Sequence, residues 1–100
     1  MYRRLRLCSN KGGYEALPDP PTVLDLVAIR GRLEREGVAV VDARVMLIAS
    51  LEVEVTISRA GRLLFKTSSA SRAETVFERL RRMLDLPPME PPGPGGAPSG

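Results

Sequence analysis

Cys8 lies two residues from Arg6 and three from Lys11, and a thiol flanked by cations is biased toward the nucleophilic thiolate. Glu52 and Glu54 sit two apart in an alternating stretch, which would place both carboxylates on one strand face about 6 to 7 Å apart, the start of a general acid–base pair. Neither feature finds the partners such chemistry needs. The chain has no His and a single Cys, which removes the usual zinc sites and the Cys-His and Ser-His-Asp nucleophile arrangements. Lys11-Gly12-Gly13 lacks the spacing and the following helix of a phosphate-binding loop. Cys8 therefore reads as a small filler at a strand end, and the two glutamates as solvated carboxylates. No catalytic residue, metal site or cofactor is expected, and the chain reads as a non-enzymatic protein.

The remaining chemistry is basic. Thirteen of the fifteen cationic residues are Arg, the net charge is +3 and the isoelectric point is near 9.6. Arg3, Arg4, Arg6 and Lys11 form one group, suited to phosphate because the planar guanidinium donates two parallel hydrogen bonds. Arg79, Arg81 and Arg82 form another, but Glu74, Glu78 and Asp85 are interleaved with them, as on a salt-bridged helix surface.

The elements that must hold these residues follow from periodicity. Residues 2 to 7 alternate, with Arg3, Leu5 and Leu7 on one side and Tyr2, Arg4 and Arg6 on the other, predicting a strand with a basic outer face. Ser9 to Gly13 is a turn, and Leu17-Pro18-Asp19-Pro20-Pro21 an extended connector. A helix is predicted over 22–36, capped by Thr22 with Asp25 in its first turn, striped by Val23, Leu26, Val27, Ile29 and Leu33, and closed at Gly37. Val38 to Ala49 is β-rich, one bent strand or two strands broken near Asp42-Ala43-Arg44. Alternation from Leu51 to Ile57, a turn at Arg59-Ala60-Gly61-Arg62 and a return over 63–67 predict a hairpin. Ser71-Arg72-Ala73-Glu74 fits a capping box, opening a helix over 71–85 with Ala73, Val76, Phe77, Leu80 and Leu84 as its core stripe.

The sum is an α+β domain over residues 1–86. It has an antiparallel sheet of three to four strands in the order β-α-β-β-β-α, both helices on one face, and a Pro/Gly-rich tail over 87–100 expected to be disordered. The longest apolar run, Val45 to Ala49, is too short to cross a bilayer, and no secretory signal opens the chain, so a cytoplasmic location is expected. One Cys, no Gln and one Asn suit a reducing compartment and a heat-adapted source.

The stretch Val55-Thr56-Ile57-Ser58-Arg59-Ala60-Gly61-Arg62-Leu63-Leu64-Phe65-Lys66-Thr67, within the order β-α-β(n)-α, resembles one half of a TATA-box-binding protein over about residues 50–84. Small C-terminal segments of ubiquitin-activating-like adenylation enzymes read similarly. The resemblance implies a curved sheet with helices on one side. It does not carry the family's DNA surface, since Arg4, Arg6, Glu52, Glu54, Thr56, Leu64 and Lys66 would occupy the open face and neither Phe65 nor Phe77 stands where a kinking wedge is needed.

The leading expectation is thus an interaction module that docks on a protein partner or pairs as a homodimer, with Val45, Leu47 and Ala49 as an unguarded sheet edge. A basic nucleic-acid-associated protein using Arg3, Arg4, Arg6 and Lys11 is the alternative, and an accessory subunit of an adenylating or sulfur-transfer enzyme a second one.

Overall fold

The computed structural model describes residues 1–8 and 12–91. Six strands and two helices follow in the order β1 (Arg6–Cys8), β2 (Gly13–Ala16), α1 (Leu26–Arg35), β3 (Ala39–Asp42), β4 (Met46–Ser50), β5 (Glu54–Ser58), β6 (Leu63–Phe65) and α2 (Ala70–Leu84). All strand pairs are antiparallel, in the spatial order β1-β2-β6-β5-β4-β3. The fold class is α+β as expected, but with six strands rather than three or four.

The additional strand before α1 is β2, which the glycine pair conceals. Gly12, at φ +66°, belongs to the turn, whereas Gly13 begins the strand. A Cβ at Gly13 would run into the Phe65 carbonyl oxygen, so glycine is there for close backbone approach rather than for bending. Strand β1 is shorter than the predicted 2–7. Tyr2, expected among the outward-facing residues, is instead buried, and Leu7 of the supposed inner side is exposed.

Cross-strand register explains which face each residue takes. One row runs Leu7, Tyr14, Phe65, Val55, Ala49 and Val40 across all six strands, and every member is apolar. That row lies on the core side, where Leu47, Ile57 and Leu63 join it, although Leu7 on the outermost strand is left exposed. Both helices add to this one cluster, α1 through Ile29 and Leu33, α2 through Ala73, Val76, Phe77, Leu80 and Leu84, so both cover the same face. Phe77 meets the rings of Tyr2 and Phe65 edge-on, with centroids 5.4 and 6.3 Å away.

The helix ends differ from their predicted positions. Asp25 caps α1 by accepting from the Ala28 N–H at 3.2 Å, while the Thr22 hydroxyl turns back to the Pro20 carbonyl. The helix therefore starts four residues late, and Val23 and Val27, predicted as stripe residues, are exposed. In α2 the cap is Ser69, accepting from the Arg72 N–H, and Ser71 instead accepts through its carbonyl from the Thr75 hydroxyl. The predicted Asp42–Arg44 break between two strands is present, with Arg44 in the left-handed region at φ 74°.

Tyr2 closes the chain on itself. Its N–H donates to the Pro88 carbonyl, its carbonyl accepts from the Glu90 N–H, and its hydroxyl donates to the Gly61 carbonyl at 2.8 Å. Burial pushes its phenol pKa up to about 12. Met89 packs against the core, so the ordered contacts run past the boundary expected at residue 86. The rest of the predicted tail, from residue 92, lies outside the described residues.

Candidate functional site

The face turned away from the helices carries a second row across all six strands: Arg6, Glu15, Leu64, Thr56, Ile48 and Val41. Its chemistry changes from one end to the other. At the β1–β2 end it is charged, and at the β3–β4 end it is aliphatic.

The charged end centres on Glu15, whose side chain is only 8% exposed. Arg6 Nη2 reaches its Oε2 at 2.6 Å, and Arg62 donates to its Oε1 from Nε at 2.9 Å. The hydrogen bond from Arg6 is the main reason its carboxyl is held below the ordinary 4.5, with Arg62 adding to it and burial opposing. A buried carboxylate held by two guanidiniums, one on each oxygen, is charge-balanced and hydrogen-bonded at both oxygens. Because its folded value lies below the unfolded one, its stabilisation is present above about pH 4.5 and is lost as pH falls through the folded value. Thermal unfolding from pH 6 to 2.5 should show a falling midpoint below about 4.5, and Glu15→Gln should flatten part of that slope. A slope identical in the variant would contradict this. The remainder includes Glu52, lowered first by its own backbone N–H and then by Arg79.

Of the residues expected to bind nucleic acid, Arg3 pairs with Asp19 at 3.4 Å, Arg4 with Glu74 at 3.5 Å and Arg6 with Glu15. Arg4 therefore reaches toward α2 rather than across the open face. Lys11 lies outside the described residues. The predicted self-association residues separate as well. Leu47 and Ala49 are 1% and 0% exposed, inside the core, because β4 has β3 on one side and β5 on the other. Only Val45, 61% exposed, remains at the surface. The true outer edges are β1 and β3. Glu52 and Glu54 do not form a strand pair either: Glu52 precedes β5 and bonds Arg79 at 2.8 Å. Cys8, half-buried, pairs with Gly13 at the end of β1.

At the aliphatic end, Met46, Ile48 and Thr56 are half-buried and Val41, on the edge strand, is 61% exposed. Asp42 of that strand is engaged by Arg30 at 3.3 Å and by the Arg44 N–H. Sequence reasoning missed this patch because its membership depends on the β3–β4 register, which the run 38–49 does not reveal. Among the described residues no three His, Cys, Asp or Glu come together to hold a metal ion, and no helix is long and apolar enough to cross a membrane. No protein-family model, curated protein or solved structure matches the chain.

Proposed function

We propose that the protein is a non-enzymatic interaction module that docks on a protein partner, or on a second copy of itself, through the aliphatic end of its open sheet face. The observation that carries this reading is the uncovered patch of Val41, Ile48 and Met46, beside an edge strand whose outer backbone groups have no strand neighbour among the described residues. Such an edge accepts an added strand through main-chain hydrogen bonds, and alternating side chains on the face beside it supply selectivity. The nucleic-acid alternative draws less support, since Arg3, Arg4 and Arg6 each already face a carboxylate.

Light scattering at micromolar concentration, with and without the double substitution Val41→Lys and Ile48→Lys, tests the reading alongside binding to RNA and DNA over a salt series. Expected are a Val41- and Ile48-dependent association and a log–log salt slope near zero for nucleic acid. A monomer that binds RNA or DNA with a steep negative slope would overturn it.

A further inference from the structure

The open face does not end at Met46. An open groove of ≈ 570 Å³ continues from it, lined by Val23, Val45, Met46, Ser58, Arg59 and Ala60. A second hollow of ≈ 470 Å³ adjoins it, sharing Val23 and Arg59 and adding Arg44 and Asp25. Volumes of this size suit one or two side chains of a docked segment.

The walls are tied together. The Arg59 N–H donates to the Val45 carbonyl at 3.1 Å, and the Arg59 carbonyl accepts from the Leu24 N–H at 2.8 Å. These bonds join the 22–25 approach to α1, the start of β4 and the 59–62 turn. The same turn is pinned from behind by the Tyr2 hydroxyl on Gly61. Gly61 itself, at φ +91°, has no room for a Cβ between Thr22 and Pro18. A groove held this way needs little ordering when something binds.

Its charge is unbalanced. Of the thirteen arginines, eight have a carboxylate within 4.0 Å; among the described residues five have none, and Arg44 and Arg59 are two of these five. Both line these hollows. The nearby carboxylates are already engaged, Asp25 at the helix cap by the Ala28 N–H, and Asp42 by the Arg30 guanidinium and the Arg44 backbone N–H. Arg44 also stands in the left-handed region, where glycine or asparagine would sit more easily, so the position carries a long cationic side chain at a conformational cost.

We infer that this groove takes a peptide segment of a protein partner that carries a carboxylate beside an aliphatic or aromatic side chain. The apolar side chain seats on Val23, Val45 and Met46, and the carboxylate meets the forks of Arg59 and Arg44, the geometry in which guanidinium and carboxylate bind most strongly. The inference rests on the interaction-module reading and names the partner's chemistry.

A phage-displayed random heptapeptide library selected on the full chain tests it. Enriched sequences are expected to hold Asp or Glu within two residues of a large apolar residue. A fluorescein-labelled copy of the most enriched peptide should bind the double variant Arg44→Ala, Arg59→Ala and the variant Val45→Asp at least about tenfold more weakly than the unaltered chain. All of these positions are exposed, and circular dichroism confirms that the variants remain folded. Enriched peptides without an acid, no enrichment over the double variant, or equal binding to it would each overturn the inference. So would loss of a wild-type dimer in the double variant without any acidic peptide enriched, since that places a second copy in the groove. If association still depends on Val41 and Ile48 while no acidic peptide is selected, the groove inference falls and the sheet-face reading stands.

Discussion

Phe77→Ala is expected to cost about 3 to 5 kcal/mol of stability, as deletions of buried aromatic rings do. The ring is 1% exposed and stands where α2 meets the sheet, edge-on to both Tyr2 and Phe65. Its removal subtracts the largest apolar contact of α2. It also leaves a void that the β-strands cannot close, because Phe65 is paired on both sides, to Tyr14 and to Val55. Against a domain total of about 5 to 15 kcal/mol, the loss consumes about a fifth at the least and the whole at the most. Chemical denaturation with tryptophan-free readouts, such as far-ultraviolet dichroism, measures it directly. A loss below about 1 kcal/mol would mean that the site collapses around the missing ring, contrary to this packing.

Leu47→Lys should abolish the fold, while Val45→Lys two residues away should change stability by no more than about 0.5 kcal/mol. The two side chains differ in exposure, 1% against 61%. Leu47 sits opposite Ile57 on the core side of a central strand, with no carboxylate among the core residues to meet an ammonium. An unpaired charge there costs several kcal/mol even after relaxation, comparable with the whole stability of a chain this size. Proton spectra with dispersed amide signals for Leu47→Lys would contradict the burial. Collapse of the Val45→Lys variant would show that the 43–46 turn bears more of the fold than its exposure indicates.

What the sequence made legible is what local periodicity encodes. The stripe Ala73, Val76, Phe77, Leu80 and Leu84 and the hairpin around Gly61 stand as read, because their neighbours in space are their neighbours in sequence. Leu47 was misjudged for the opposite reason. Whether β4 is an edge depends on where residues 39–42 pair, and no pattern within 45–49 reports that. Val23 and Val27 share helical spacing with Ile29 and Leu33, yet the helix begins at Leu26 and turns Val27 to solvent. The Glu15 fork joins residues 47 apart, beyond the reach of any local motif, and its strand was hidden by Gly13. The groove escaped notice because its walls come from three separate segments.

The strand order also bears on how the chain is made. Strands β3 to β6 form a meander, each pairing with the next along the chain, so they can zip together as they leave the ribosome. The first hairpin, β1–β2, is synthesised before all of them, yet its only other strand neighbour is β6, some fifty residues later. It must wait, with the β2 edge open, through the synthesis of everything between. The last seam to close is then Tyr14 against Phe65, and with it Tyr2 against Gly61 and Pro88. Closing so long a loop carries the largest chain-entropy cost in the fold, which makes the β2–β6 seam the slow step of assembly and the point where a nascent chain is most open to mispairing.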